Sequence, residues 1–151
     1  MRGIVLIGER ANARPRAGVN PRELDPKFLL SMRAYGAGSA RGILQKLVGL
    51  RWDAGMNLLT PAWINTSWDH DRAQEVANSC KGYLEAEFTT IVLLGRRVSR
   101  AFGFENLNFL RTDWPYAVLP HPNGLNRWWS DEDRKAATRK FAAELVERSY
   151  K

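Results

Sequence analysis

Four short apolar runs constrain the fold of this 151-residue chain more than any other feature of its sequence. They are Gly3–Gly8, Gly55–Thr60, Thr89–Gly95 and Tyr116–Pro120. Short, nearly unbroken apolar runs without polar alternation are typical of strands buried on both faces of a parallel sheet. We therefore predict four strands that form the centre of the domain.

Amphipathic segments lie between and after these runs. The predicted helices cover 25–35, 39–48, 72–87 and a segment that begins at Arg96. A last predicted helix is capped within Ser130–Asp133 and ends near Arg148. Its inward-facing residues are predicted to be Ala136, Phe141, Ala142 and Leu145. Residues 61–71 and 106–115 are predicted to be connections. Alternation of strands and helices predicts an α/β fold, a three-layer α/β/α domain with a short, mainly parallel central sheet that spans 1–151.

The chain is strongly basic, with a formal net charge of +7 and 17 arginines against 6 lysines. Arginine forms planar hydrogen bonds with phosphate and stacks on bases, so this excess favours a polyanionic partner, and DNA is the leading candidate. The alternative is a basic surface without a specific partner, because net charge bears on association and not on the fold.

Cysteine content and hydropathy exclude several classes of protein. The only cysteine, Cys80, cannot form an internal disulfide or supply an all-cysteine metal cluster, and its helical spacing places it on an apolar face. No metal or other cofactor is implied. No apolar run reaches the roughly 20 residues that cross a bilayer, and no basic segment followed by an apolar stretch opens the chain. We expect a cytoplasmic monomer that does not bind membranes.

Polar side chains follow or end each predicted strand. In open α/β sheets, ligands bind at the carboxyl ends of the strands. Glu9, Asn57, Arg96 and His121 should therefore converge on one edge of the sheet. Taken singly, each has an ordinary alternative. A lone glutamate after a strand is usually structural or solvated, but Glu9 lies in a basic loop with Arg10, which makes it a better candidate for a functional carboxylate.

His121 lies between two prolines, Pro120 and Pro122. Each proline fixes its own φ and biases the preceding residue towards extended geometry, so the imidazole is held on a stiff turn. Gly124 permits a tight bend, and an apolar residue, a cation and two aromatics follow: Leu125, Arg127, Trp128 and Trp129. Such a cluster suits a protein that handles a base and its phosphates. The alternative is that the prolines close a loop and the tryptophans belong to the core.

Two further features have two interpretations each. Arg96 and Arg97 open a helix, where backbone N–H groups favour anions, or they only solvate the helix. Tyr35, in a glycine-rich connection, either stacks on a base or packs in the core. His70 is interpreted as a solvated helix entry, with Asp69 or Asp71 as the cap.

Several motifs together resemble the uracil-DNA glycosylase superfamily over nearly the whole chain. Gly8-Glu9 resembles the opening of the first motif of its iron–sulfur branch, and His121-Pro122-Asn123-Gly124 resembles the second motif. Residues 74–85 and 91–103 are similar to the central helix–strand–helix of that branch. The chain departs from the branch in three respects: Arg10-Ala-Asn-Ala-Arg14-Pro15 follows Gly8-Glu9, the four cluster cysteines are absent, and Asn123 stands where the second motif has serine.

The resemblance implies a DNA glycosylase that removes uracil or a related modified pyrimidine. By this resemblance Glu9 positions or activates water, His121 bonds a carbonyl oxygen of the base, and Leu125 enters the gap left in the stack. The residues implied to contact the substrate or its phosphates are Tyr35, Asn57 and Asn123 for the nucleotide and Arg10, Arg96, Arg97 and Arg127 for phosphates. The altered first motif leaves a catalytically weak or inactive DNA-binding module of the same fold as the alternative.

Overall fold

The computed structural model describes residues 2–10, 30–31, 42–59, 68–123 and 125–151. The strands are β1 (Arg2–Arg10), β2 (Leu30–Ser31), β3 (Ala54–Leu59), β4 (Phe88–Leu94), β5 (Thr112–Asp113) and β6 (Tyr116–Leu119). The α-helices are α1 (His70–Glu87), α2 (Arg96–Ala101) and α3 (Glu132–Ser149), with a π-helical turn at Gly42–Leu47 and a 3-10 turn at Arg127–Ser130. Among the helices in these ranges, none has the length and apolar character that a bilayer crossing requires.

The strands form one sheet in the order β2-β3-β1-β4-β6-β5. The four inner strands are parallel, and β2 and β5 are two-residue antiparallel additions at the edges. β1 lies between β3 and β4, with Gly8 opposite Asn57 and Ile7 opposite Leu93. The predicted α/β class and mainly parallel sheet are confirmed, and all four predicted strands are present.

Side chains of β1 alternate between two buried clusters on opposite faces of the strand. Val5 and Ile7 pack with apolar residues of α1 and α2, whereas Ile4 and Leu6 pack with those of α3 and the π-helical turn. All four side chains are inaccessible to solvent. This double burial is the physical reason that β1 is apolar at consecutive positions, because a strand with one wet face would alternate. The complete three-layer arrangement stays a prediction.

Helix α1 begins at His70, two residues before the predicted start at Arg72. Asp69 is its N-cap, and the carboxylate accepts a hydrogen bond from the backbone N–H of Arg72 at 3.1 Å. Ala73, Val76 and Cys80 lie on the buried face of the helix and are inaccessible to solvent. The prediction that Cys80 is a packed apolar residue is confirmed.

Helix α3 crosses the sheet from the carboxyl ends of the strands to their amino ends. At its far end, Ser149 Oγ lies 2.7 Å from Oγ1 of buried Thr90, in the first half of β4. The buried positions on this helix are Thr138, Ala142 and Leu145. The prediction that Ala136 faces inward is wrong, because Ala136 lies two residues before Thr138 and so about 200° around the helix from it.

The secondary structure differs from the prediction in three other places, two of them because a short segment pairs with a neighbouring strand. Leu30–Ser31 falls in the helix predicted for 25–35 but pairs with β3, opposite Met56 and Gly55. Thr112–Asp113 falls in a predicted connection but pairs with β6. Within the helix predicted for 39–48, the described residues Gly42–Leu47 form a wider, π-helical turn, since the N–H of Val48 bonds to the carbonyl of Ile43 in the i to i−5 pattern.

Candidate functional site

The parallel strands bring the predicted polar residues to one edge of the sheet. Glu9 lies at the end of β1, Arg96 follows β4 after one glycine, and His121 follows β6 after one proline. Asn57, inside β3, lies opposite Gly8 on the neighbouring strand and is partly exposed. The sheet topology therefore places all four at or near the carboxyl ends of their strands.

Glu9 and His121 are in direct contact. His121 Nε2 lies 3.0 Å from Glu9 Oε2, with 20% of the Glu9 side chain and 39% of the His121 side chain exposed. A carboxylate only accepts hydrogen bonds, so this contact is favourable when Nε2 carries the hydrogen. The imidazole thus lies at the edge of the sheet beside the carboxylate, with Nε2 the nitrogen nearer to it.

Gly95 makes room for this contact. It follows β4, the strand between β1 and β6, and its N–H donates to the carbonyl of Leu119 at 2.8 Å. A Cβ built on Gly95 would lie 3.3 Å from the Cβ of His121, and the backbone has φ +98°, a conformation that L side chains rarely adopt. Glycine at this position therefore allows both the turn into α2 and the approach of the histidine.

The carbonyl of His121 anchors the loop that follows. It accepts hydrogen bonds from the Nδ2 of Asn126 at 3.1 Å, the indole Nε1 of Trp129 at 3.0 Å and the backbone N–H of Asn123 at 2.9 Å. Trp129 is buried at 7% exposure, which fits the core interpretation of this tryptophan. The prolines predict a rigid turn at His121. The donors from Asn126 and Trp129, which belong to the cap and the body of the 3-10 turn, have no such local sequence signal.

The tip of the loop presents an apolar side chain to solvent. Leu125 is 91% exposed, and its backbone N–H donates to Oδ1 of Asn123 at 3.0 Å. Asn123 therefore shapes the turn that carries Leu125, and the side chain of Asn123 is itself exposed. Gly124 lies outside the described residues.

The two adjacent arginines at the start of α2 have different partners. Arg97 Nη1 lies 3.3 Å from Glu9 Oε1, so Glu9 uses one oxygen for Arg97 and the other for His121. Arg96 instead places its guanidinium 4.8 Å from the ring centroid of Phe109. Both arginines were predicted to contact phosphates. Their adjacent positions in the sequence give no indication that their side chains have different partners.

A surface pocket of about 320 Å³ lies next to Arg97. The described residues that line it are Trp68, His70, Arg97, Arg100 and Glu105. Sequence analysis assigned His70 to a solvated helix entry and gave no role to Trp68, Arg100 or Glu105. The spacing of Arg97 and Arg100 could have predicted that both line one pocket, since residues three apart lie on one face of a helix.

The remaining predicted site residues are placed only in part. Arg127 is exposed at the start of the 3-10 turn that follows Leu125. Arg10 is the last residue of β1, with its backbone alone described. Tyr35 lies outside the described residues. Within the described part of the chain, no group of three His, Cys, Asp or Glu side chains is arranged to hold a metal ion.

Chemically, the site combines an acceptor, a donor and a cation. Glu9 can accept a hydrogen bond from water, His121 can donate one to a developing anion, and Arg97 balances the charge of the carboxylate. The chain matches no protein-family model, and no curated protein matches it in sequence.

Proposed function

We propose that this protein is a DNA glycosylase with a uracil-DNA glycosylase-like three-layer fold, which hydrolyses the N-glycosidic bond of uracil or a related modified pyrimidine. The observation that carries the proposal is the Glu9–His121 pair at 3.0 Å, contributed by two separate strands at the carboxyl edge of a parallel sheet. The proposed partner is DNA, which the net charge of +7 supports, and the proposed state is a cytoplasmic monomer.

The proposed reaction begins with extrusion of the nucleotide, because the glycosidic bond is inaccessible inside a duplex. The C–N bond then breaks with its electron pair going to the base, so negative charge develops on the carbonyl oxygen of the base. His121 turns its Nε2–H from Glu9 to that oxygen and stabilises the charge. Glu9, released from His121, orients the water that attacks the sugar carbon, and a proton from that water leaves to solvent.

The surrounding residues support the recognition of DNA. Leu125 is exposed at the loop tip, which supports its proposed role of filling the gap left by the extruded nucleotide. Arg96 and Arg127 are exposed cations that precede and follow the His121 loop in the sequence. They are suited to bind DNA phosphates, and such contacts do not depend on the base sequence. Asn57 supplies an amide at the same edge, which matches the donor and acceptor pattern of a pyrimidine amide.

A second candidate, a DNA-binding module without catalysis, is favoured by one observation. Both carboxylate oxygens of Glu9 already have partners within the protein, Arg97 and His121. If these contacts persist with DNA bound, Glu9 has fewer acceptor sites left for a water molecule, and its role is to hold the edge of the sheet together.

One assay separates the two candidates. The protein is incubated with duplex and single-stranded DNA that contains uracil, and alkali then cleaves any abasic site formed. The glycosylase proposal expects strand cleavage by the wild type and strongly reduced cleavage by Glu9→Gln, with DNA binding retained by both. Binding without cleavage of uracil or any other modified pyrimidine would favour the binding module.

A further inference from the structure

The pocket beside Arg97 carries more positive than negative charge. Arg97 and Arg100 are one turn apart on α2, and both line it. Glu105 is the one carboxylate among the described lining residues, and its Oε2 lies 3.8 Å from Arg100 Nε, with 68% of the Glu105 side chain exposed. An ion pair of this length between exposed side chains contributes little, so Arg100 can take another anion.

Arg97 connects the pocket with the Glu9–His121 pair. Its contact with Glu9 uses Nη1, and 60% of its side chain is exposed. A guanidinium carries five N–H donors in a planar fork, so one arginine can hold Glu9 and a second anion at the same time. An anion in the pocket would therefore be fixed at a short distance from the edge where His121 donates.

The other lining residues suit a nucleotide better than a simple ion. Trp68 offers an aromatic ring, whose centroid lies 5.9 Å from Cζ of Arg97. His70, the first residue of α1, adds an imidazole that can donate a hydrogen bond. An indole that can stack on a base or sugar, beside two guanidiniums that match phosphate, is the combination found where proteins track a nucleic-acid strand.

We propose that this pocket is a phosphate-binding subsite, which holds the phosphate of a nucleotide next to the one whose base is removed. Arg97, Arg100 and His70 contact the phosphate, and Trp68 stacks on the nucleotide. The identity of the nucleotide rests on the proposed function, whereas the binding of a phosphate group does not require cleavage.

The first test uses inorganic phosphate and the two histidines of the chain, His70 and His121. Phosphate is added at constant ionic strength, with chloride exchanged for it, and the imidazole resonances are followed by NMR. We expect a saturable shift of His70, and Arg100→Gln should weaken the apparent affinity about tenfold, the effect of losing one charged hydrogen bond. Arg72→Gln is the matched control, because Arg72 is a half-exposed arginine on α1 that pairs with Glu75 and does not line the pocket.

A variant that binds phosphate more tightly than wild type tests the subsite directly, because a folding defect would only weaken binding. Glu105→Gln removes the carboxylate that pairs with Arg100 among the described lining residues, so phosphate affinity should rise a few-fold. Glu75→Gln removes a carboxylate of similar exposure outside the pocket and should leave the affinity unchanged. No shift of His70 with phosphate, or equal affinities for Arg100→Gln and Arg72→Gln, would overturn the proposal.

A second arm distinguishes free phosphate from a DNA strand. A short oligonucleotide of deoxyadenosine has phosphodiesters but no pyrimidine to excise, and it should compete with phosphate for the His70 response. Failure to compete would show that the pocket takes a free phosphate and would refute the nucleotide assignment. Competition by this oligonucleotide, together with no excision of any pyrimidine, would contradict the proposed function and leave the subsite standing.

Discussion

Nε2 of His121 and Oε2 of Glu9 are 3.0 Å apart, although their strands, β6 and β1, are separated by β4. The two side chains meet over the end of β4, where Gly95 carries no side chain. A Cβ on Gly95 would lie 3.3 Å from the Cβ of His121, closer than ordinary van der Waals contact. The geometry of the pair is thus determined jointly by three strands.

The first prediction concerns this glycine. Gly95→Ala should destabilise the fold by about 1 to 2 kcal/mol, because alanine is strained at positive φ, and it should also displace His121. Urea unfolding measures the first effect, and the NMR resonances of the His121 imidazole measure the second.

Gly49→Ala is the matched control for Gly95→Ala. Gly49 also has positive φ, +74°, but a Cβ there would meet nothing within 4 Å. The control should lose stability from backbone strain alone and leave the His121 resonances in place. Equal His121 spectra in both variants would contradict the role of Gly95 in positioning the histidine.

Loss of the His121 donor should slow base release. His121→Gln is expected to reduce the single-turnover rate by roughly ten- to a thousandfold, the range for removal of one preorganised donor to a developing oxyanion. DNA affinity and the urea midpoint should stay nearly unchanged, since 39% of this side chain is exposed. Rates equal to wild type would exclude His121 from the mechanism.

Leu125→Ala should separate duplex from single-stranded substrates. The side chain is 91% exposed, so its loss should change the free energy of unfolding by less than about 0.5 kcal/mol. Excision from duplex DNA should nevertheless fall, because a wedge that fills the stack is needed only where a stack exists. Excision from single-stranded DNA is the internal control, and an equal loss on both substrates would argue against a wedge.

DNA binding should weaken steeply as salt rises. Each phosphate contact adds about 0.9 to the slope of log affinity against log salt, so Arg96→Gln and Arg127→Gln should each lower the slope by about that amount. Arg148→Gln is the matched control, because Arg148 lies at the far end of α3, with Cζ 3.8 Å from the ring centroid of Trp114. A slope reduced equally by Arg148→Gln would mean that the basic residues act as a diffuse surface.

Alkaline stability should depend on Tyr116. Burial, followed by the hydrogen bond to Glu85 at 2.7 Å, raises the pKa of this phenol well above its ordinary value of 10.0. A raised pKa in the folded state contributes stability that is complete below pH 10 and is lost as pH rises further, because only the unfolded chain ionises there. Tyr116 should therefore lower the free energy of unfolding above pH 10 by up to about 1.4 kcal/mol per pH unit. Tyr150, whose pKa is also raised by burial, adds to this fall in both wild type and Tyr116→Phe.

Tyr116→Phe provides the control for this pH dependence. It lacks the ionisable group, so its loss of stability between pH 10 and pH 11.5 should be smaller than that of the wild type. Urea unfolding at several pH values measures the difference, and parallel curves would refute the assignment.

Much of the fold follows from the sequence because burial on both faces leaves a direct signature. An uninterrupted apolar run such as Ile4–Ile7 has few alternatives to an inner parallel strand, and all four residues are inaccessible to solvent. Aspartate before an apolar helical pattern likewise predicted a cap at Asp69 or Asp71, and Asp69 is the cap of α1. These signals are local, so one sequence suffices to read them.

The tertiary structure alone decided what depends on partners distant in sequence. Edge strands such as Leu30–Ser31 exist only because a neighbouring strand offers free backbone groups, and local propensity does not encode that pairing. The rotation of α3 that leaves Ala136 exposed depends on how its buried face meets the sheet. Short apolar patterns fix the type of an element more firmly than its phase or its ends.

The candidate site, like the fold, was predicted in part from the sequence and decided in part by the tertiary structure. The sequence by itself placed Glu9 and His121 at the carboxyl ends of strands, because parallel strands share one direction. Only the structure decided that their side chains touch, that Arg97 turns to Glu9 while Arg96 turns to Phe109, and that Trp68 and His70 share a pocket with Arg97. Backbone direction follows from local pattern, whereas side-chain partners across a sheet depend on strand order and on the space that a residue such as Gly95 leaves open.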